Sequence, residues 1–358
     1  MLNKENYIPT GDISSIGLGT MTFGEQTNLK DAHKIINLCL ENGITFIDTA
    51  EMYPVYPSSQ TYGLSEEIIG KYLNKNNNRD KIFIATKFTT SNPLGIGASK
   101  LNWIRGGIKG LTIDKTNLQS ALNSSLKRLK IDNIDLYQVH WPERLVSFGN
   151  KIEYTEKPRE NDSKVLREML IILNNFIKEG KIKNYGLSNE TPWGLMKILS
   201  LCEEMNIKKP ITLQNQYNLI NRSLDLGLKE ICLQENILIL GYGPLAGGLL
   251  TGKYLFNKRP IEARYSIWSG PKNKYFNSKM DEAIYLYDKL AKNNNMELSE
   301  LAYLYLLKVT HLKSMIVGFR TFEQAQVGIT YLKNELSEDI FKEINIIHKN
   351  FPNPYLEY

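Results

Sequence analysis

Ile-Asp-Thr-Ala (47–50) closes a short β-branched and aromatic run, and Tyr53 follows three residues later. Two further stretches end in the same way, Ile-Ala-Thr-Lys (84–87) and Tyr-Gln-Val-His (137–140). Each leaves a chemically active side chain, Asp48, Lys87 or His140, at or near the end of a strand-like segment. A parallel αβ barrel gathers such positions on one face, because its functional groups come from the C-terminal ends of several strands.

Outward from these strings the chain alternates short strand-like runs with longer amphipathic ones. Strands are predicted at Ile16–Thr20, Thr45–Ala50, Ile82–Lys87, Asp135–His140, Asn184–Asn189, Thr212–Tyr217, Ile237–Gly241 and Ser314–Phe319. Between them Ala32, Ile35, Ile36 and Cys39 recur at helical spacing, as do Leu118, Ala121, Leu122, Ser125, Leu126 and Leu129. Val165, Met169, Ile172, Leu173 and Phe176 mark another helix, and Trp193, Met196 and Leu199 a further one. This succession predicts a closed (β/α)₈ TIM barrel, one domain over residues 1–358. A doubly wound sheet is the rival. It lacks its glycine fingerprint, because Gly17-Leu-Gly19 runs into Thr20, Met21 and Thr22. Met1–Ser15 is expected to form a hairpin under the barrel. The connections Phe88–Lys115, Trp141–Asp162 and Leu249–Lys279 are long, follow strands, and are expected to hang over the mouth.

Composition narrows the function classes. With 42% hydrophobic and 23% charged residues the chain can bury a core. Its net charge of +6 is spread through Lys-Asn mixtures rather than a basic patch interleaved with aromatics, so nucleic acid is not an expected partner. Cys39, Cys202 and Cys232 lie far apart, without metal-ligand spacing, and read as core thiols; no metal site is expected. Met1–Asp12 lacks the apolar stretch of a signal peptide and no run reaches membrane-spanning length, so a cytoplasmic location is the default expectation. Nothing marks an oligomer interface.

A tyrosine, a lysine, a carboxylate and a histidine meeting at one mouth could protonate a carbonyl while hydride arrives at carbon. Singly each residue is ordinary: a packing tyrosine, a solvated lysine, an aspartate capping a helix, a histidine satisfied in the core. Together they are chemically compatible. A free phenol has a pKa of about 10. An ammonium about 4 Å away, at an effective dielectric near 20, supplies the roughly 4 kcal/mol that would bring it towards neutrality. Lys87 is the expected ammonium, Asp48 its anchor, and His140 the group that orients the carbonyl or relays the proton.

Longer strings make the chain recognisable. Gly-Leu-Gly-Thr-Met-Thr-Phe-Gly (17–24), Phe-Ile-Asp-Thr-Ala-Glu-Met-Tyr-Pro-Val (46–55), Asp-Leu-Tyr-Gln-Val-His-Trp-Pro (135–142), Gly-Leu-Ser-Asn-Glu-Thr (186–191) and Pro-Leu-Ala-Gly-Gly-Leu-Leu-Thr-Gly-Lys-Tyr (244–254) resemble the aldo-keto reductase superfamily. The likeness is strongest to its bacterial Tas-like branch. It implies a catalytic tetrad of Asp48, Tyr53, Lys87 and His140 and an extended nicotinamide cofactor, NADP(H). It also implies that Ser188, Asn189 and Gln214 read the carboxamide, with Tyr242 stacked on the ring, and that Thr20, Met21 and Asp48 lie along the cofactor. Gly243, Pro244, Leu245, Gly247, Gly248, Leu249 and Lys253 are expected to hold the pyrophosphate through backbone N–H groups and one cation. Gly318, Arg320 and Gln324 are expected at the adenosine end, where Arg320 at a helix N-terminus suits a 2′-phosphate. The family usually has serine where Gly243 stands, and often asparagine where Gly328 stands. Phe23, Phe88 and Trp141, with Trp103 or Trp193, are expected to frame the pocket of a small-molecule carbonyl substrate. Two rivals remain: a cofactor-binding regulatory protein resembling channel-associated aldo-keto-reductase-like subunits, and an aldolase-type barrel with Lys87 as Schiff base.

Overall fold

In a computed structural model, which describes residues 13–91, 101, 103–106, 111–144, 146, 162–267 and 277–356, eight parallel strands close into a barrel in sequence order. They are β1 (Ile16–Gly19), β2 (Phe46–Asp48), β3 (Phe83–Phe88), β4 (Ile134–Val139), β5 (Ile182–Ser188), β6 (Thr212–Gln216), β7 (Leu238–Tyr242) and β8 (Leu312–Val317). The fold is the (β/α)₈ barrel that the alternating pattern predicts, with strand ends displaced by a few residues. The hairpin expected over Met1–Ser15 lies largely outside the described residues. Much of the Phe88–Lys115 and Trp141–Asp162 connections does too.

Side-chain alternation sorts each strand into an inward and an outward row. The inward row has an apolar floor: Phe46, Ala85, Leu136, Leu240 and Ile316, closed from below by Ile13 and flanked by Phe83 and Leu238. Phe46 sets the identity of its neighbour on β1. A Cβ on Gly17 would stand 2.6 Å from the Phe46 ring, so only glycine leaves room. The outward row joins the helices in a much larger cluster, which includes Ile47, Ile84, Tyr137, Leu187, Leu213 and Ile239.

The expected helices form at Leu29–Glu41, Lys115–Leu129, Asp162–Lys178 and Pro192–Glu204. Side-chain caps fix the starts of three of them: Asn28 accepts from the Asp31 N–H, Asp114 from that of Asn117 and Thr191 from that of Gly194. One face differs from expectation. The Pro192–Glu204 helix buries Leu195, Ile198, Leu199 and Cys202, whereas Trp193 and Met196 are exposed. Trp193 instead lies under the Arg144 guanidinium, 4.9 Å from its ring, and Arg144 is held by a buried ion pair with Glu190. All three cysteines are buried free thiols. No helix among the described residues is long and apolar enough to cross a membrane.

Candidate active site

Above the apolar floor the inward row turns polar. Asp48, Lys87, Gln138 and Gln214, from β2, β3, β4 and β6, are each 3% exposed or less. Lys87 Nζ donates to Asp48 Oδ2 at 2.6 Å and to the Thr49 carbonyl at 2.9 Å. The other carboxylate oxygen, Oδ1, accepts from Gln214 Nε2 at 2.8 Å and from Gln138 Nε2 at 3.2 Å. Gln214 Nε2 also reaches Gln138 Oε1 at 3.3 Å. Buried charges persist only when paired and hydrogen-bonded, and both conditions hold for this pair.

Tyr53 and His140 sit over this layer. The Tyr53 ring centre lies 5.1 Å from Lys87 Nζ, and its edge meets His140 with ring centres 5.6 Å apart. His140 is stacked on Trp141 at 3.7 Å and 7° between planes. Its Nδ1 is buried with no hydrogen-bond partner among the described residues. Burial, helped by the Lys87 charge, pushes the His140 pKa well below the ordinary imidazole value, so the ring is neutral at physiological pH. Burial also lowers Lys87, against the opposing pull of Asp48.

Tyr53 departs from the sequence expectation. Burial raises its pKa strongly, the Asp48 charge raises it further, and only Arg264 acts in the other direction. Lys87 does not draw the phenol towards neutrality here because Asp48, at 2.6 Å, cancels most of its field. The resting phenol holds its proton.

On the opposite flank, Ser188 Oγ donates to the Gln214 carbonyl at 2.9 Å. Asn189, in the left-handed region at φ 57°, donates to the His140 carbonyl at 2.9 Å and accepts from Tyr242 Oη at 2.7 Å. Thr20 is buried and donates to the Asp48 carbonyl at 3.1 Å, and the Met21 carbonyl accepts from the Val55 N–H at 2.9 Å. After β7 the backbone winds through Gly243, Gly247 and Gly248 at φ 71°, 67° and 101°. Pro244 and Leu249 point into the protein and Leu245 is half-buried along the same stretch. Arg320 precedes the helix Phe322–Tyr331, and its N–H donates to Gln324 Oε1 at 3.0 Å. The Arg320 guanidinium meets the Glu262 carbonyl at 2.9 Å and the Glu262 carboxylate at 3.4 Å. Gly318, just beyond β8, is exposed. The Lys253 pKa is lowered by partial desolvation and then by Arg264 and Arg320, which marks three cations sharing one region.

The pocket wall needs correction. Phe23 and Phe88 are fully buried in the main core, with Phe88 packed 5.2 Å from Tyr137. The reason is alternation: Lys87 takes the inward position on β3, so Phe88 must face the helices. Trp193 is likewise on the outer surface. Trp141 lies in a small cluster with Met52, Leu101, Ile104 and Leu111 against which Tyr53 and Trp103 pack.

Two residues escaped sequence reasoning. Gln138 lies two positions before His140, so period-two alternation alone would have put both on the inner face. Arg264, in the four-residue helix Arg264–Ile267, carried no local signal. Only the folded loop brings it near Tyr53 and Lys253.

A strand-borne acid–base cluster beside a loop-borne cationic flank, at one end of an eight-stranded barrel, defines a class of barrel oxidoreductase. The model of the aldo/keto reductase family matches residues 15–349. Protein tas of Escherichia coli is 36% identical over 343 residues, covering 96% of each chain. An aldo-keto reductase of Babesia bovis is 33% identical over 76% of this chain and 98% of its own. Human aflatoxin B1 aldehyde reductase member 2 is 28% identical over 90% of this chain and 82% of its own. The chain belongs to the aldo/keto reductase family, whose oxidoreductases act on carbonyl groups and generally use NAD(P)H.

Proposed function

We propose that this protein, a single-domain barrel, reduces aldehydes or ketones to alcohols with NADPH, and that Tyr53 gives the proton. The observation that carries this reading is the buried Lys87–Asp48 pair, 2.6 Å apart, with the Tyr53 ring 5.1 Å from the same ammonium. Burial keeps the Tyr53 proton at Oη until a carbonyl oxygen beside it gains negative charge. The phenolate left behind lies near the Lys87 ammonium, whose field Asp48 offsets in large part, and Arg264 adds a further stabilising charge. Asp48 holds Lys87 in place while Gln138 and Gln214 hold Asp48. Neutral His140 orients the carbonyl through a ring N–H.

The residues present suit the cofactor. Lys253, Arg264 and Arg320 repel one another, and phosphate oxygens would relieve that repulsion. Among the described residues the Arg320 guanidinium pairs with Glu262, whose side chain is 84% exposed; such pairs are weak, so a 2′-phosphate can displace it. Ser188, Asn189 and Gln214 offer both donors and acceptors to a carboxamide, and the half-buried Tyr242 offers a ring face. When bound, the nicotinamide supplies the hydride. Arg320 favours NADPH over NADH because its fork binds oxyanions bidentately.

The test is a single-turnover measurement of NADPH oxidation with an activated aromatic aldehyde, in wild type and Tyr53→Phe. Wild type should oxidise the bound cofactor. The variant should bind it equally well and turn over about 10²- to 10⁴-fold more slowly, the usual contribution of a positioned acid. Full activity in Tyr53→Phe would remove Tyr53 as the donor. Tight NADPH binding without oxidation in either protein would favour a regulatory cofactor-binding role instead.

A further inference from the structure

Another buried ion pair lies just beyond the strand ends that carry Asp48 and Lys87. Arg105 Nη2 stands 3.4 Å from Glu51 Oε1, with side chains 8% and 2% exposed. The same nitrogen donates to the Thr89 carbonyl at 2.6 Å, and Nη1 to the Asn117 carbonyl at 3.4 Å. Glu51 Oε1 also accepts from the Thr89 N–H at 2.6 Å, and the Glu51 N–H donates to the Lys87 carbonyl at 3.0 Å. One guanidinium therefore ties a loop residue to the chain just beyond β2 and β3, the strands that carry Asp48 and Lys87. To do so Arg105 adopts left-handed backbone, φ 48° and ψ 36°. A non-glycine residue stays there only where its surroundings enforce it, and such outliers collect at functional sites.

What this anchor positions is aromatic. Trp103, two residues earlier, leans on Tyr62 with ring centres 5.4 Å apart. It packs with Tyr53 on the small cluster that contains Trp141, the ring stacked on His140. Three aromatic side chains thus border the region where a carbonyl would meet Tyr53 and His140. Two of them, Tyr53 and Trp141, belong to the strand-end segments, and the third depends on the loop.

We propose that the Glu51–Arg105 pair is a clamp that holds Trp103 as a wall of the substrate cleft, selecting flat aromatic aldehydes and ketones over small aliphatic ones. The proposal rests on the reductase reading above. Arg105 and Glu51 are positioning residues, acting through Trp103. Trp103 determines specificity, because an aromatic substrate gains offset or edge contacts with fixed rings that an aliphatic chain cannot match.

The test compares kcat and KM for 4-nitrobenzaldehyde and for propanal, with NADPH, in wild type, Trp103→Ala, Arg105→Lys and Arg105→Gln. Trp103→Ala should raise KM for the aromatic aldehyde about tenfold or more, the scale set by one lost pocket contact. Its kcat/KM for propanal should fall several-fold less than that for the aromatic aldehyde. Arg105→Gln should reproduce that split, and its Trp103 emission, isolated by difference against the matching Trp103→Phe proteins, should shift to the red. Arg105→Lys should fall in between, since lysine keeps the charge but not the fork. If Arg105→Gln fails to fold, Trp103→Ala still decides, because it leaves the ion pair intact. Equal losses on both aldehydes, or none on either, would overturn the clamp. Absence of turnover in wild type with any aldehyde would sink the reductase reading instead, while the emission shift would still show whether Arg105 holds Trp103.

Discussion

The flank of the barrel built from β2 to β4 and the flank beyond β7 and β8 handle charge in opposite ways. In the first, Asp48, Lys87 and Gln138 come from strands, are 2%, 0% and 0% exposed, and satisfy one another. In the second, Lys253 and Arg320 come from loops and Arg264 from a four-residue helix. There the charges repel, and the Glu262 counter-ion on Arg320 is itself exposed. On the reading proposed above, the contrast follows from what each flank would do. Proton transfer requires atoms held to a fraction of an ångström, which neighbouring strands supply. Holding phosphates requires only converging positive charge and N–H groups, which a glycine-rich turn presents without pre-built partners.

The largest expected effect lies on the strand-borne flank. Asp48→Ala leaves the Lys87 ammonium buried with the Thr49 carbonyl as its one remaining partner here. Loss of about 3–5 kcal/mol of unfolding free energy is expected, read from urea titration, together with loss of turnover. Replacing the pair, Asp48→Leu with Lys87→Met, should recover most of that stability and none of the activity. A double variant no more stable than Asp48→Ala would show that an unpaired charge is not what destabilises the single one.

The same contrast governs what could be read from sequence. Asp48, Lys87 and His140 were legible because strand alternation and the parallel barrel rule determine where a strand-end residue points. Gln138 carried the same parity signal, two positions before His140, although its residue type alone does not mark a site. Phe88 follows Lys87 directly, so strand alternation turns its ring to the helices whatever its aromatic character suggests. Trp193 and Met196 were put on a buried helix face because apolar spacing cannot register that Arg144 and Glu190 meet beside Trp193. Arg264 and the Glu51–Arg105 contact were illegible for a different reason. They depend on how long loops fold back, and no local periodicity encodes that. The upward shift of the Tyr53 phenol belongs to this group too, since it arises from burial and from the cancellation of Lys87 by Asp48.

On the loop-borne flank, Arg320→Ala should weaken NADPH binding by about 1.5–3 kcal/mol, the worth of a hydrogen bond to a charged group, and leave NADH almost untouched. Fluorescence titration of both cofactors reads it. Equal losses would mean that Arg320 serves the turn around Glu262 and not the cofactor phosphate, and the two flanks would differ less than their exposures imply.

The pH dependence of turnover sharpens the comparison from the strand side. The active form of His140 is neutral, and its pKa is pushed well below the ordinary value of 6.5, so acid should not remove activity near that pH. The active form of Lys87 is charged, and its pKa is lowered from 10.5, so the alkaline loss should begin below 10.5 and run at about tenfold per unit. Rates measured with saturating NADPH across pH 6 to 10 check both limbs. An acid limb centred near 6.5 would mean that His140 is hydrated and outside the buried cluster.

The smallest effect concerns Gly243, at φ 71° directly after β7. A Cβ there would find Gln216 Cγ at 3.8 Å as its nearest neighbour, so there is room for a side chain and the only cost is backbone. Gly243→Ser should therefore lower stability by about 1 kcal/mol, the left-handed penalty for a residue with a Cβ. Thermal unfolding would show it. Because a serine would add a hydroxyl to this turn, the NADPH affinity of the same variant is the informative half of the experiment. Tighter binding despite lower stability would mean that the loop of this chain has traded a hydroxyl contact for backbone ease. Unchanged affinity would mean that N–H groups alone suffice on this flank, as its open, glycine-led geometry predicts. A loss larger than the backbone cost, in either property, would show that the turn is as tightly specified as the buried strands opposite, and the contrast between the two flanks would fail.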